Sequence, residues 1–415
     1  MNNLILLTNR FPYEGGEQFI ETEIEFWNRN SFDNVYIMPH STSDTLRKMP
    51  LNIILMKPND KNYNFIYGLL TLVNPIFYKE LYYIFREFGV RGFISNSSEA
   101  FKTTALSLKA KKNLSYFLKS KVKDNNTIYS YWNDSSFYAA CLLKREGLVD
   151  KVISRAHRFD IYEEERNKNY MPLKRQFVND FDKVFLLSES AFSYYEQTYN
   201  VDPRFLDISR LGVVMPINKP TNGYDKNTLS ILSLSYCHAG KQIHKIIDAV
   251  YEYAKRNLQV KIEWTHIGDG ELFKQLKEQS ENLSTIQENL RIKFLGELKN
   301  SDVKNHLELN YYNVFINASK SEGVPVSIME AMSYGIPAIA PDVGGVSDLV
   351  NMSNGYLMPS EVSSEEIIRG IDKIHARNTY RENAFNWISK NFNSSLNYPE
   401  FIQKVEIIAG INDCK

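Results

Sequence analysis

The chain has 415 residues, 43% of them hydrophobic, and its 49 basic residues balance 49 acidic ones. That length and apolar content fit two globular domains with sizeable cores and exclude long disordered stretches. The charge balance gives no reason to expect a nucleic-acid partner.

Cys141, Cys237 and Cys414 lie far apart without metal-ligand spacing. The expectation is a reducing, cytoplasmic compartment with no structural disulfide and no metal site. The opening MNNLILLTNR lacks a basic n-region, and its apolar run is too short for a signal peptide. Residues 3–8 therefore read as a first buried strand, followed by a loop at 9–16 and a helix at 17–28. Gly15 and Gly16 in that loop have two readings: a turn that lets a ligand approach the backbone, or an ordinary flexible turn.

Residues 61–123 are aromatic and helical in character. FIYGLLTLVNPIF at 65–77 is broken by Asn74-Pro75 and falls short of the roughly 20 apolar residues a bilayer span needs. Residues 109–123 carry six lysines, no acids, and an apolar Leu114/Phe117/Leu118 patch. Segments 65–83 and 109–123 together could lie on an anionic membrane surface, or the lysines could be a solvated face over a core stripe. Strands are expected at 128–132 and 152–154, with a helix at 135–144 between them. His157 then stands where a parallel sheet presents its loops, as a structural residue or a ligand-binding one. A strand at 184–187 leads to Ser188 as a helix cap. Residues 215–227, rich in Pro, Asn, Gly and Lys, read as an interdomain linker.

The second half repeats the alternation, with strands at 230–234, 262–267, 292–295, 314–316 and 338–340 and helices at 243–255 and 271–279. Strands separated by helices imply parallel, doubly wound α/β sheets. The organisation expected is a domain over 1–214, a second over 215–385, and helices over 386–415 that cross back to the first.

SKSEGVPVSIMEAMSYG at 319–335 holds the densest chemistry. Pro325 suits a first helical position and Gly335 a helix stop. Glu322 would lie in the loop at a strand's carboxyl end, where open α/β sheets bind ligands. The N–H groups of Gly323 and Val324 and the helix dipole would favour an anion there. Glu330 lies about 200° round the helix from Ile328, free to face a ligand. Gly268 belongs to a tight strand-to-helix turn, HIGDGE, which lacks the third glycine of a dinucleotide fingerprint. Lys241, after the first strand of the second half, could meet phosphates or be a surface lysine.

Glu322-Gly323-Val324-Pro325 with Glu330-Ala331-Met332, then Gly335-Ile336-Pro337, Gly344-Gly345, the His266–Gly270 run, Phe294-Leu295-Gly296 and Leu211-Gly212-Val213 resemble the retaining glycosyltransferases of the GT-B fold, glycosyltransferase family 4. The resemblance implies two Rossmann-like domains facing across a cleft, the first (1–214) binding the acceptor and the second (215–385) the nucleotide sugar, and transfer from a nucleoside diphosphate sugar to a saccharide, often lipid-linked, without a metal or other cofactor. It implies that Glu330 binds the ribose, and that Glu322 with Gly323, Val324 and Pro325 meets the transferred sugar and its phosphates. Lys241 would neutralise the departing diphosphate, His157 would lie beside the donor sugar, and Gly15-Gly16 near its phosphate. The 296–299 loop, with Glu297 and Leu298, would offer its backbone to the base. Tyr236 stands where the family usually has an arginine, and Arg210 is the substitute considered. Peripheral attachment to the inner face of the cytoplasmic membrane follows from the same resemblance. A rival reading is a catalytically silent subunit that binds the sugar nucleotide.

Overall fold

The computed structural model describes all residues except 15, 44, 58–63, 122–124, 218–224, 226, 376–378 and 412–415. Gly15, Cys414 and much of the expected 215–227 linker thus lie outside the described residues. The chain forms two compact units, Met1–Arg210 with Tyr398–Lys415, and Leu211–Asn397.

The first unit contains strands β1 (Asn2–Thr8), β2 (Asn34–Pro39), β3 (Ile53–Leu55), β4 (Asn125–Ser130), β5 (Lys151–Arg155), β6 (Lys183–Leu186) and β7 (Leu206–Ile208). They pair in parallel in the order β3-β2-β1-β4-β5-β6-β7. Leu4 to Leu7 are all buried, as expected for a strand covered on both faces. The helices are α1 (Ile20–Ile24), α2 (Asn64–Leu72), α3 (Pro75–Lys121), α4 (Ser135–Arg145), α5 (Arg158–Ile161) and α6 (Glu189–Tyr199). β2 and β3 had no counterpart in the sequence reading. The helix expected over 17–28 is shorter, because Glu17 takes a left-handed backbone (φ 57°) and Glu25–Arg29 tightens into a 3₁₀ turn. Ser188 caps α6 as expected, accepting from Ala191 N–H at 3.1 Å.

α3 breaks at Gly89 (φ 62°). On its later half Leu114, Phe117 and Leu118 are buried against Ile5, Leu7 and Phe137, and Lys111 pairs with Glu146. The apolar patch within 109–123 is therefore a core stripe under lysines, and it does not supply a membrane-facing surface. α2 and the first half of α3 differ: Phe65, Leu69 and Tyr82 are 78%, 52% and 68% exposed. Among the described residues no helix is long and apolar enough to cross a membrane.

The second unit holds β8 (Thr228–Leu234), β9 (Lys261–Ile267), β10 (Leu290–Phe294), β11 (Val314–Ile316), β12 (Ala338–Pro341) and β13 (Gly355–Met358), in the order β10-β9-β8-β11-β12-β13 and all parallel. Its helices are α7 (Ile243–Arg256), α8 (Phe273–Ile286), α9 (Asn300–Leu309), α10 (Val326–Ser333), α11 (Val346–Leu349), α12 (Ser364–His375) and α13 (Thr379–Asn391). β13 was unread in the sequence. α8 starts two residues later than expected because Leu272 N–H is held by the Cys237 carbonyl (2.9 Å) and Gly270 takes φ 152°.

α14 (Ser394–Ile408) closes the chain. From Tyr398 onward it belongs to the first unit, where Phe401, Ile402 and Val405 join a core with Leu4, Trp27 and Tyr129. The return therefore begins at Tyr398, later than the 386 expected. Leu211–Val213 lies in the second unit rather than the first, because Val213 exchanges backbone hydrogen bonds with Phe392 and Ser394 (2.8 and 3.0 Å).

Candidate functional site

Sheet order places one site in each unit. In the second unit β8 and β11 are neighbours, but β8 leads on to β9 on one side while β11 leads on to β12 on the other. Loops leaving such a pair diverge and open a crevice at the strands' carboxyl ends. Lys241 follows β8 and Glu322 follows β11, so both residues stand at this switch point.

Lys241 Nζ donates to Glu322 Oε1 at 2.5 Å. Asn317, the first residue after β11, donates from Nδ2 to the same oxygen at 3.2 Å and accepts Ser319 N–H at 2.8 Å. Burial pushes the Glu322 carboxyl up, but the Lys241 charge and hydrogen bonds from Lys241, Ser319 and Asn317 outweigh it and hold the group below the usual carboxylate range. The loops are also tied through backbone, Lys320 N–H donating to the Gly240 carbonyl at 2.8 Å and Gly345 N–H to that of Gly323 at 2.8 Å. A Cβ on Gly344 would fall 1.9 Å from the Glu322 carbonyl oxygen, and φ there is 56°, so only glycine fits.

α10 begins at Val326. Pro325 has an extended ψ of 115° and is the N-cap rather than the first helical residue. Its missing N–H costs nothing at either position, which is why the sequence could not separate them. The carbonyl of Pro325 accepts from Ile328 and Met329 (3.2 and 3.3 Å), leaving the first N–H groups of the helix free of intrahelical partners. Gly335, at φ 74°, stops the helix as expected. Ile328 and Met332 are fully buried while Glu330 is only partly so. Burial raises the Glu330 carboxyl to about 7, with Lys304 opposing the shift.

A second layer lies beneath. Trp264 Nε1–H donates to Ser233 Oγ at 2.9 Å, Ser233 Oγ meets His266 Nδ1 at 2.8 Å, and His266 Nε2 meets Cys237 Sγ at 3.3 Å. Burial lowers the imidazole to about 4 and raises the thiol to about 11. This neutral chain joins β8, β9 and the Lys241 loop. Gly268 N–H donates to the Gly296 carbonyl at 2.8 Å, and a Cβ on Gly268 would meet the Ser235 carbonyl oxygen at 1.9 Å. Glu297 is exposed and Leu298 partly buried in the loop that follows Gly296. Tyr236 is 60% exposed. Arg210 lies in the first unit beside Glu189, 3.7 Å away.

In the first unit the switch point falls between β1 and β4. Glu17, next to Gly16, accepts N–H groups from Asn9 (3.0 Å), Arg10 (2.6 Å) and Phe11 (2.6 Å) and the Trp132 indole N–H (2.5 Å). It thereby shapes the whole β1 loop, a role that no feature of its residue type signalled. His157 packs against Trp132 and Tyr131, with ring centroids 4.7 and 5.0 Å away. Burial and the Arg155 charge lower its pKa to about 3, so the ring is neutral. Its Nε2 is buried without a partner among the described residues. Asp160 accepts from His157 N–H (2.6 Å) and Asn133 N–H (2.7 Å), linking the loops after β5 and β4.

Residues 215–389 match the family described as Glycosyl transferases group 1. The O-antigen biosynthesis glycosyltransferase WbnH of Escherichia coli is 36% identical over 119 residues, 28% of this chain and 31% of that protein. A glycosyltransferase of Haemophilus influenzae is 25% identical over 200 residues, 47% of this chain and 52% of that one. The matched stretches thus span about half the length of these curated relatives, or less. Among solved structures, the lipopolysaccharide outer core galactosyltransferase WaaB superposes with a TM-score of 0.66 at 14% identity, covering 98% of this chain and 99% of that one. Anabaena HepE, in complex with UDP and glucose, superposes with a TM-score of 0.65 at 17% identity, covering 97% and 99%. Residues 215–389 are thus similar to the glycosyl transferases group 1 family, and the chain has the two-sheet GT-B fold of the glycosyltransferases it superposes on.

Proposed function

We propose that this protein is a retaining glycosyltransferase that moves a sugar from a nucleoside diphosphate sugar to a saccharide, lipid-linked in its natural setting, during assembly of a surface glycan. The observation that carries the reading is the Lys241–Glu322 pair at the switch point of a unit similar to the group 1 family, beside the amino end of α10. An acceptor hydroxyl oxygen bonds to the anomeric carbon as the bond from that carbon to the diphosphate oxygen breaks. The hydroxyl proton passes to the departing phosphate, and the nucleoside diphosphate leaves. Lys241 and the first N–H groups of α10 stabilise the charge that builds on the leaving oxygen, so the step needs no metal. Glu322 orients Lys241 and accepts from the sugar, Glu330 takes the ribose hydroxyls, and the backbone at Glu297 and Leu298 meets the base. In the first unit His157 Nε2 is assigned to a sugar hydroxyl, and Gly15 and Gly16 to phosphate. UDP in the HepE complex and O-antigen synthesis by WbnH support a UDP-sugar donor and a surface polysaccharide product. The exposed apolar face of α2 and early α3 supports peripheral attachment to an anionic cytoplasmic membrane surface.

A thermal-shift screen of UDP-, GDP- and ADP-sugars tests the donor site. A donor at a hundred times its Kd adds about 2.7 kcal/mol of stability, and absence of any shift across the three classes overturns the reading. Turnover is expected to persist in EDTA. Flotation with anionic liposomes at low salt tests attachment, and absence of binding there refutes it. Tyr236, where an arginine is usual in the resembling family, favours the silent-subunit alternative; release of nucleoside diphosphate by the purified protein excludes it.

A further inference from the structure

Glu322 is held by two kinds of donor that differ in how firmly they are committed. Lys241 reaches it from another loop, at the end of a 3₁₀ turn over Ala239–Lys241 and on a four-carbon stem. Its side chain is 21% exposed. An ammonium carries three N–H donors, and a diphosphate, with more charge than one carboxylate, competes for them as well as for the charge itself. A ligand phosphate at the switch point therefore loosens the hold of Lys241 on Glu322.

Asn317 is committed at both ends. It is 5% exposed, and its N–H donates to the Ile339 carbonyl at 2.9 Å, so it continues the pairing of β11 with β12. Its Oδ1 accepts Ser319 N–H at 2.8 Å, which settles the amide's orientation and leaves Nδ2 to donate to Glu322 Oε1 at 3.2 Å. The buried Ser319 adds a side-chain hydrogen bond to the same carboxylate. Both of these donors are neutral and lie on the loop of Glu322 itself, where a phosphate has no charge to draw away.

We propose that Asn317 is a positioning residue: it keeps Glu322 in place as an acceptor for the sugar while the diphosphate draws on Lys241. The identity of that ligand rests on the glycosyltransferase reading; the clamp between Asn317 and Glu322 does not. Two substitutions separate the clamp from the turn. Asn317→Ser retains an oxygen that can accept Ser319 N–H, but its shorter side chain does not reach Glu322. Asn317→Asp retains the acceptor and replaces the donor with a carboxylate. The groups acting on Glu322 are Lys241 from the loop after β8 and Asn317 and Ser319 from its own loop, and the loop before α11 presents Gly344 and Gly345, which carry no charge. Adjacent carboxylates share a proton and take it up at a higher pH than either alone, so lowering the pH restores an O–H donor at position 317.

The test is release of nucleoside diphosphate from UDP-glucose, GDP-mannose and ADP-glucose between about pH 6 and 8, each variant taken as a ratio to wild type so that other titrations cancel. With the donor that turns over, Asn317→Ser is expected to lower kcat about 10- to 100-fold at every pH, the worth of a hydrogen bond to a charged group, with the donor KM changed by less than about twofold. Asn317→Asp is expected to lose more at about pH 8 and to recover about tenfold by pH 6. A kcat within about twofold of wild type in Asn317→Ser, a ratio flat with pH in Asn317→Asp, or a donor KM that rises as much as kcat falls overturns the proposal. The side-chain amide signal of Asn317 in NMR, assigned by its loss in Asn317→Ser, reads the clamp without turnover. It should move upfield in Glu322→Gln, where the acceptor is neutral, and an unmoved signal also overturns the proposal. If the signal moves but wild-type protein consumes no sugar nucleotide, the clamp stands and the transferase reading falls.

Discussion

In the second unit the loops at the switch point bring a lysine and a glutamate to 2.5 Å, over a neutral layer of Trp264, Ser233, His266 and Cys237. In the first unit the corresponding loops bring a glutamate onto three backbone N–H groups and an indole, beside a neutral histidine among aromatic rings. Both sheets have the same internal order around their first strand, so the topology fixes where a site lies and not what it does. In the second unit the glutamate holds a charged partner, and in the first it holds a loop. Substitutions at the two glutamates should separate those tasks.

The largest effect is expected at Glu322. In Glu322→Ala, Lys241 loses its partner and the sugar an acceptor, and turnover should fall about 10²- to 10³-fold, the cost typical of losing one preorganised electrostatic group. Nucleoside diphosphate release measures it. A fall under tenfold would mean that the pair is only a surface-loop clasp. Glu17→Ala should behave oppositely, lowering stability by about 2–4 kcal/mol through unsatisfied N–H groups, with kcat changed little in the fraction that remains folded. Denaturant titration alongside kinetics separates the two, and a Glu17 variant that is stable but inactive would erase the contrast.

This contrast also explains what could be read from the chain. The 319–335 stretch was legible because strand, turn, N-cap and helix are consecutive, and each residue type there has a local backbone reason: Gly335 is the stop and Pro325 the entry. The position of Lys241 was legible from its strand, but its pairing with Glu322 was not, because the partner is 81 residues away. Glu17, Asn133 and Trp132 were missed for the same reason; their roles come from contacts across loops, and a glutamate in a left-handed turn leaves no pattern. The 109–123 lysines misled in the other direction, since a helical stripe looks alike whether a core or a membrane covers it.

The raised Glu330 carboxyl sharpens the picture through pH. Its ordinary value is 4.5 and its folded value about 7. Between those values the native state holds a proton that the unfolded chain has released, so this group's contribution to stability declines as pH rises from about 4.5 to 7. Glu330→Gln removes that slope and should be more stable than wild type at pH 8 by about 1–3 kcal/mol. Ribose hydroxyls donate best to the ionised form, so wild-type donor affinity should strengthen from pH 6 to 8 and that of Glu330→Gln should not. Parallel pH profiles of Tm and donor Kd check both signs. A wild-type affinity flat with pH would remove Glu330 from the ribose.

The smallest effect expected is a gain. Tyr236 sits on the same loop as Lys241, on a side chain 60% exposed, and its carbonyl accepts His238 N–H at 3.1 Å, a bond that involves only backbone. Tyr236→Arg therefore leaves the loop's hydrogen bonding intact while adding a guanidinium whose planar fork suits phosphate oxygens. At an exposed position the added attraction is worth about 1 kcal/mol or less, so the donor KM should fall by up to about fivefold. Because exposed charges are screened, the gain should shrink between 50 and 500 mM salt, whereas the contribution of Lys241, held by the buried Glu322, should persist. If Tyr236→Arg weakens donor binding at low salt, the ring itself contacts the nucleotide, and the loop recognises its ligand by stacking rather than by charge.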